Sequence, residues 1–168
     1  MLLKVVRSRE LLVSETALKL HRPVEALPEG QREVIRQLRE RRIGLAGKTV
    51  LTVDDDIRNI FAMTSLLERY QMKILAKESA REAIEALQGS ERVDVILMDI
   101  MMPDLDGYDA IQMIRRMEAF RSLPIIALTA KAMKGDREKC MEAGASDYIA
   151  KPVDSDYLLA KLQSWLLV

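Results

Sequence analysis

The sequence predicts an α/β fold in which a five-stranded parallel sheet carries helices on both faces. From Lys48 onward, five short β-rich runs alternate with five segments whose apolar residues recur at helical spacing, and the connections between them are short. Strands that alternate with helices in this way form a parallel sheet covered on both sides. Because such crossovers are right-handed, the C-terminal ends of all the strands are expected at one edge, where these sheets bind ligands.

The first two strand–helix units have clear limits in the sequence. The β-rich run KTVLTV at 48–53 precedes a helical pattern at 57–70, and MKILAK at 72–77 precedes the helical segment SAREAIEALQG. Ser79 is a good N-cap for that second helix, because its hydroxyl can accept a hydrogen bond from a free backbone N–H. Gly89 is a typical residue at which to end it.

The last three units follow the same pattern. Pro124 is acceptable at the first residue of a strand, Gly144 is expected to end the fourth helix, and Asp154 is expected to begin the fifth. The predicted strands and helices, in alternation, are 93–98, 107–120, 123–130, 133–145, 146–151 and 154–168.

Residues 1–47 differ from the rest of the chain and contain no obvious strand. Apolar spacing predicts a helix at 8–21 and a second, basic helix at 31–43, with two prolines and a glycine between them. The segment is too short for a domain. We therefore expect a helical linker at 1–47 and a single domain at 48–168.

The charges are balanced overall but unevenly distributed. Residues 1–47 carry 10 basic and 6 acidic side chains, a net +4, and the remaining 16 basic and 20 acidic side chains give −4. This balance does not favour a nucleic-acid surface. The basic helix is expected to act as an interdomain linker or to pair with another helix, which would allow self-association.

Other classes of protein are disfavoured by simple features of the sequence. No apolar run approaches the roughly 18 residues of a membrane span, and the charged N-terminus does not resemble a signal peptide. The chain has one cysteine, Cys140, and one histidine, His21, so neither an internal disulfide nor a zinc site is expected. A cytoplasmic setting fits this composition.

A short internal repeat aligns LKVVRSRELL at 3–12 with AKPVDSDYLL at 150–159. Chance similarity between two amphipathic helix starts is one explanation. The other is that the chain begins within the tail of a preceding, similar domain, in which case the natural protein is longer than this chain.

Polar side chains stand where four of the predicted strands end. The first strand is followed by Asp54 and Asp55, and Asp99, Thr129 and Lys151 stand at the ends of the third, fourth and fifth. If the first and third strands are neighbours, three carboxylates converge and repel one another. An all-oxygen site of this kind suits Mg²⁺, which would remove the repulsion and keep waters for a phosphate oxygen.

This arrangement predicts phosphoryl transfer onto Asp99. A carboxylate is a weak nucleophile, but phosphoryl transfer asks mainly for charge neutralisation. Mg²⁺, the Lys151 ammonium and the Thr129 hydroxyl would each cover one oxygen of the incoming group. The product would be an aspartyl phosphate.

Four segments resemble, in order, the signatures of the response-regulator receiver domain: VDDD at 53–56, MDIMMPDLDG at 98–107, LTA at 128–130 and YIAKP at 148–152. The resemblance covers about residues 48–168 and implies a flavodoxin-like sheet with the strand order 2-1-3-4-5. In detail the sequence is similar to receivers carried by hybrid sensor histidine kinases, including the stretch that joins tandem receivers.

The resemblance also implies a role for each acidic position. Asp99 would be the phospho-acceptor and one of the metal-site residues, and Asp55 would be the direct acidic ligand of Mg²⁺. Asp54 would hold Mg²⁺ through water, and the backbone carbonyl of Met101 would be the third protein ligand. Asp56 is expected to cap the first helix instead of binding the metal.

Thr129 and Tyr148 match the switch residues of the family, and Lys151 matches its phosphate-binding lysine, with a cis peptide before Pro152. The implied function is a phosphorelay step, in which a histidine kinase or histidine phosphotransfer domain passes its phosphoryl group to Asp99 and a protein-interaction surface changes. The receiver would catalyse its own phosphorylation and dephosphorylation without being an independent turnover enzyme. The chain is expected to be a fragment of a hybrid histidine kinase.

Three alternatives remain at this point. The chain could be a stand-alone single-domain response regulator, or a pseudo-receiver that binds partners without being phosphorylated. A phosphatase of the haloacid dehalogenase type would need a second acid two residues after the nucleophile, where this chain has Met101. His21 has only a faint likeness to a kinase phospho-acceptor box and is expected to be a linker residue.

Overall fold

A computed structural model describes the chain at residues 28–30, 32, 36, 44–89, 92–130 and 134–167. The chain divides into two units, residues 1–44 and residues 45–168. In the first unit, Arg32 and Arg36 are helical, as expected for the basic helix at 31–43. The predicted helix at 8–21, His21 and the N-terminal copy of the repeat lie outside the described residues.

The second unit is built on a five-stranded parallel sheet. Its strand order is β2-β1-β3-β4-β5, which is the order that the resemblance implied. The strands are β1 (Thr49–Val53), β2 (Lys73–Lys77), β3 (Val95–Asp99), β4 (Ile125–Thr129) and β5 (Asp147–Ala150). Every residue of β3 and β4 is buried, as expected for central strands covered on both faces.

Helices cover both faces of the sheet. They are α1 (Ile57–Glu68), α2 (Ala80–Gln88), α3 (Gly107–Arg116), α4 (Lys134–Glu142) and α5 (Ser155–Leu166). Buried side chains of α1 and α5 form one apolar layer with the sheet, and those of α2, α3 and α4 form the other. Within the described part of the chain, no helix is both long and apolar enough to cross a membrane.

The helix starts follow the predicted capping residues. Asp56 accepts a hydrogen bond from the Arg58 N–H (2.9 Å), Ser79 from the Glu82 N–H (3.2 Å) and Asp154 from the Tyr157 N–H (2.9 Å). Each bond pairs a backbone donor that the first turn of a helix leaves free. The predictions for these three helix starts are confirmed.

The end of α3 differs from its prediction. Apolar spacing predicted one helix through residue 120, whereas α3 ends at Arg116, Met117 is extended (φ −79°, ψ 116°), and a separate 3₁₀ turn spans Glu118–Phe120. The physical reason is Arg115, whose guanidinium donates to the carbonyls of Phe120 (2.9 Å) and Leu123 (2.7 Å). These bonds hold the segment after α3 close to the last turn of that helix. A helix that continued to residue 120 would place this segment too far from Arg115.

Candidate functional site

The polar residues predicted at the strand ends lie at the carboxyl edge of the sheet. Asp54 directly follows β1, Asp99 and Thr129 are the last residues of β3 and β4, and Lys151 directly follows β5. Because the strands are parallel and β1 pairs with β3, these positions fall beside one another. The topology therefore brings together residues that are up to 97 positions apart in the chain.

Three carboxylates converge at this edge. Oxygen atoms of Asp54, Asp55 and Asp99 all lie within 4.8 Å of one another. Asp54 and Asp99 are buried, with exposed fractions of 1% and 3%, whereas Asp55 is exposed. Closely spaced carboxylate oxygens at the mouth of a crevice are the donor set that suits Mg²⁺, so these residues fit the ion that the sequence predicted.

Lys151 joins the two buried carboxylates. Its Nζ lies 2.9 Å from Oδ2 of Asp54 and 2.9 Å from Oδ2 of Asp99. The side chain is held at this edge by its own backbone, since the Lys151 N–H donates to the Thr129 carbonyl (2.7 Å), and a cis peptide links it to Pro152 as predicted. One cation between two anions offsets part of their mutual repulsion.

The pKa values of Asp99 and Lys151 are both shifted from their ordinary values. Burial raises the pKa of Asp99, and the bonds that it accepts from Lys151 and from the Met101 N–H only partly oppose this. For Lys151, burial acts to lower the pKa, but the hydrogen bonds to Asp54 and Asp99 outweigh it and raise the pKa above 10.5. Lys151 therefore stays charged beside Asp99 at neutral pH.

Asp54 is held in place by donors that the sequence did not reveal. Its Oδ1 accepts the Asp56 N–H (2.9 Å), and the side-chain amide of Asn59 lies 3.1 Å from each of its oxygens. Asn59 stands in the first turn of α1, five residues after Asp54, so the helix carries it back over the acid. The sequence does contain one indication of this contact, because Asn59 follows the acidic residues 54–56 by only three positions.

Gly107 allows the chain to turn closely past Asp99. A Cβ at this position would lie 2.3 Å from the Asp99 carbonyl oxygen and 2.6 Å from the Ile100 Cα, and the Gly107 N–H donates to the Ile100 carbonyl (3.0 Å). No side chain fits there, so α3 can begin against the end of β3 only with glycine. The same loop turns the Met101 N–H onto Oδ1 of Asp99 (3.1 Å).

The two predicted switch residues occupy neighbouring strands. Thr129 is buried at the end of β4, and Tyr148 on β5 is half-buried against the apolar layer of α2, α3 and α4. Tyr148 pairs with Ala127, two residues before Thr129, so strand alternation places Thr129 and Tyr148 on the same face of the sheet. The Arg137 guanidinium of α4 lies 5.8 Å from the centroid of the Tyr148 ring.

A family model agrees with this geometry. The model of the response regulator receiver domain matches residues 50–163. The chain belongs to this family. The family accounts for the parallel sheet, its strand order and the acidic crevice at the carboxyl edge.

Known proteins that resemble this receiver domain include two large sensor kinases. It is 41% identical over 110 residues to the signal transduction histidine-protein kinase BarA of Shigella flexneri, an alignment that spans 66% of this chain and 12% of BarA. It is 39% identical over 119 residues to the sensor protein GacS of Pseudomonas syringae pv. syringae, which spans 69% of this chain and 13% of GacS. The matched segment is thus about one eighth of the length of these relatives.

Solved structures share the fold at similar identity. The receiver domain of the sensor histidine kinase PA1611 from Pseudomonas aeruginosa PAO1 is 39% identical, with a TM-score of 0.68, and the match covers 73% of this chain and 100% of that one. That structure holds a magnesium ion coordinated in its active site cleft. The chemotaxis protein CheY4 of Vibrio cholerae is 28% identical, with a TM-score of 0.68, over 72% of this chain and 100% of that one.

The structure brings most of the predicted site residues of this receiver domain into one crevice. Oxygen atoms of Asp54, Asp55 and Asp99 converge, and Lys151 contacts Asp54 and Asp99. Thr129 lies at the same sheet edge. The roles of these residues in phosphoryl transfer and metal binding stay predictions, as do the metal-binding role of the Met101 carbonyl and the movement of the two switch residues.

Proposed function

We propose that residues 48–168 form a receiver domain that accepts a phosphoryl group on Asp99, and that residues 1–47 are a helical linker. The observation that supports this most directly is the Lys151 ammonium placed 2.9 Å from both Asp54 and Asp99, within a group of three converging carboxylates. A positive charge beside a buried carboxylate, together with acidic groups that can hold a metal ion, is what phosphoryl transfer to that carboxylate requires.

The acidic group is proposed to hold Mg²⁺. Asp55 is exposed at the mouth and serves as the direct acidic ligand, Asp54 acts through water, and Asp99 and the Met101 carbonyl complete the protein donors. When bound, the ion neutralises negative charge on the oxygens of the incoming phosphoryl group. The magnesium in the cleft of the PA1611 receiver domain supports this assignment.

The transfer step follows from the positions of the chain's own groups. An oxygen of Asp99 forms a bond to phosphorus while the bond between phosphorus and the imidazole nitrogen of a phosphohistidine breaks, and the freed imidazole keeps the electron pair and takes up a proton. Lys151 exchanges its contact with Asp99 for a phosphoryl oxygen, and the Thr129 hydroxyl donates to another. Thr129 then draws towards the phosphate, and Tyr148 on the same face fills the space that it leaves.

The partner is proposed to be a histidine kinase or a histidine phosphotransfer domain. Large apolar side chains are exposed around the mouth of the crevice: Ile57 and Phe61, one turn apart on α1, are 61% and 72% exposed, and Met101 is 56% exposed. A protein that delivers a phosphohistidine to Asp99 must cover this surface, which an apolar helix face fits well. We place the reaction in the cytoplasm, where kinases obtain ATP.

The apolar surface gives a test of the partner. Phe61→Asp is expected to slow transfer from a phosphorylated histidine carrier by about tenfold, the effect of losing roughly 1.4 kcal/mol at an interface anchor. Labelling of the same variant by acetyl phosphate is expected to stay at the wild-type rate, because the crevice is unchanged. If Phe61→Asp accepted the phosphoryl group from the histidine carrier as fast as the wild type does, this surface would not be the partner's docking site.

The parent protein is proposed to be a hybrid sensor histidine kinase, since BarA and GacS are much longer signalling proteins. In that context the predicted basic helix at 31–43 would join two domains or pair with a second copy. Neither direct binding of nucleic acid nor insertion into a membrane is part of the proposal for residues 48–168.

Labelling by acetyl phosphate tests the acceptor. The wild-type chain with Mg²⁺ is expected to gain one acid-labile phosphoryl group, mapped to Asp99 by mass spectrometry, and chelation of the metal is expected to abolish the gain. Asp99→Asn should show no labelling, because an amide cannot act as the nucleophile. Asp104→Asn, an exposed acid on the following loop, is the matched control and should label normally. Unchanged labelling of Asp99→Asn would reject the assignment.

A further inference from the structure

We infer that Asn59 is a positioning residue for the magnesium site, because it holds the buried carboxylate of Asp54 in the orientation that metal binding needs. This inference rests on the proposed function. Asn59 would touch neither the phosphoryl group nor the reacting oxygen of Asp99. Its effect would pass through Asp54 to the bound ion.

Asn59 contacts Asp54 through its side chain and the start of α1 through its backbone. The Asn59 amide lies 3.1 Å from both Oδ1 and Oδ2 of Asp54, and the Asn59 backbone N–H donates to the Asp56 carbonyl (2.9 Å), which fixes the residue in the first turn of α1. Asp54 itself is only 1% exposed. A donor that spans both oxygens of a buried carboxylate fixes the rotation of that group as well as its position.

Asn59 is not needed to cap the helix. Asp56 supplies that function through the Arg58 N–H (2.9 Å), and the Arg58 guanidinium in turn pairs with Asp56 (2.6 Å). The side chain of Asn59 turns instead towards Asp54. A purely local role in starting α1 therefore does not explain the contact.

The proposed reaction increases the need for uncharged donors that hold Asp54 in place. Lys151 is shared between Asp54 and Asp99, and it must reach a phosphoryl oxygen when Asp99 is phosphorylated. The Lys151 ammonium is then shared with an added anionic group, so it neutralises less of the charge on the buried Asp54 carboxylate, which is unfavourable for an ionised group. The Asn59 amide remains bonded to it throughout, and because it is neutral it does not repel the cation. Partners of this kind, which orient a metal-binding carboxylate, change metal affinity by about 10- to 100-fold.

The test is a Mg²⁺ titration of the whole chain, followed by NMR of the backbone amides of residues 54–56. Asn59→Leu keeps the approximate size of the side chain and removes its donor, so its Kd for Mg²⁺ is expected to rise about tenfold. Asn59→Gln keeps an amide and should recover most of the affinity. Gln112→Leu removes an exposed amide from α3 and is the matched control, with no change expected. Thermal unfolding without Mg²⁺ shows whether each variant is folded, and Asn59→Leu is expected to lose no more than the stability that its hydrogen bonds to Asp54 supply.

A second measurement needs no variant. Asn59 is the only asparagine in the sequence, so asparagine-selective ¹⁵N labelling gives one side-chain amide pair. Its signals are expected to shift on Mg²⁺ addition with the same Kd as the backbone. Suppose that the wild-type chain binds Mg²⁺ and is labelled on Asp99. An unchanged Kd in Asn59→Leu, or Asn59 side-chain signals that do not shift on Mg²⁺ addition, would then overturn this inference and leave the proposed function intact. Absence of Mg²⁺ binding by the wild-type chain would overturn both.

Discussion

At the scale of single residues, the site places one ammonium group among converging carboxylates at the carboxyl edge of the sheet. Asp99 ends a fully buried strand, and burial raises its pKa, while Lys151 supplies a positive charge 2.9 Å away. A carboxylate in this position can attack phosphorus only if its partners cover the added negative charge. β3 can therefore end on the acidic residue Asp99 because residues that follow β1 and β5 lie beside its carboxylate.

Gly107 gives a residue-scale prediction. Gly107→Ala is expected to destabilise the fold by about 1–3 kcal/mol, the usual cost of forcing an extra group into a packed site. The reason is the 2.3 Å separation between the new Cβ and the Asp99 carbonyl oxygen, which backbone movement must relieve. Because that movement displaces Asp99, labelling by acetyl phosphate should slow as well. Urea unfolding and labelling kinetics measure the two effects.

Gly135 provides the matched control for this substitution. It stands in the first turn of α4, and a Cβ there would have no atom within 4 Å. Gly135→Ala should be neutral or stabilise by up to about 1 kcal/mol, because alanine restricts the unfolded chain. Equal stability of Gly107→Ala and the wild type would show that α3 does not begin against Asp99 as described.

The residue scale also shows what a sequence can and cannot predict. The four polar strand ends and the capping roles of Asp56, Ser79 and Asp154 were predictable, because spacing and side-chain chemistry are local. The function of Asn59 depends on how far α1 carries its amide back towards Asp54, which only the three-dimensional path of the helix determines. Gly107 lies within the motif at 98–107, but the need for glycine at this position comes from its close approach to the backbone of Asp99.

At the scale of elements, α5 is tied to the edge strand β5 through one carboxylate. Asp147 accepts hydrogen bonds from Lys161 Nζ (2.7 Å), Trp165 Nε1 (3.3 Å) and the Tyr148 N–H (2.9 Å). Burial acts to raise the pKa of Asp147, but these donors outweigh it and hold the pKa below its ordinary value. The same contact raises the pKa of Lys161. The link joins α5 to the residue next to the proposed switch tyrosine.

This link predicts a pH dependence of stability. The ionised form of Asp147 is favoured in the folded state, so its contribution is present above the unfolded pKa near 3.9 and is lost as the pH falls through the lower folded value. Asp147→Asn should therefore be less stable than the wild type by roughly 1 kcal/mol at pH 7, a figure discounted for partial exposure of the pair. The difference should shrink as the pH falls below about 4.

Trp165 makes the measurement simple, since it is the only tryptophan in the sequence and donates to Asp147. Urea unfolding followed by its fluorescence, from pH 7 down to pH 3, gives the stability difference directly. Glu138→Gln, which removes an exposed carboxylate from α4, is the control and should show no such trend. A wild-type advantage that is constant with pH would contradict the role of the charge on Asp147.

The end of α3 was predicted wrongly, because the helix ends at Arg116 and not at residue 120. Apolar residues keep helical spacing through Phe120, so periodicity alone extends the helix. The Arg115 guanidinium also donates to the Gly144 carbonyl (2.8 Å) and to the Ser146 hydroxyl (3.1 Å), beyond the end of α4. These partners lie about 30 residues away in the sequence and could not be recognised from local spacing.

At the scale of the whole domain, the topology creates the site. The order β2-β1-β3-β4-β5 places the two acid-bearing strands side by side and brings Lys151 from the far edge across Thr129. Alternation of strands and helices predicted a parallel sheet, but not the order of its strands, which came from the resemblance to receiver domains. The segment that matches BarA and GacS is about one eighth of the length of those proteins.

The most direct test of the account is a crystal structure of the chain grown with Mg²⁺ and beryllium fluoride, which mimics a phosphoryl group on a carboxylate. The account predicts the fluoride adduct on Asp99, with Mg²⁺ bound by Asp55 and Asp99 and with Lys151 in contact with the adduct. A structure in which Asp99 points away from Asp55 and Lys151, with neither the adduct nor the ion between them, would contradict it.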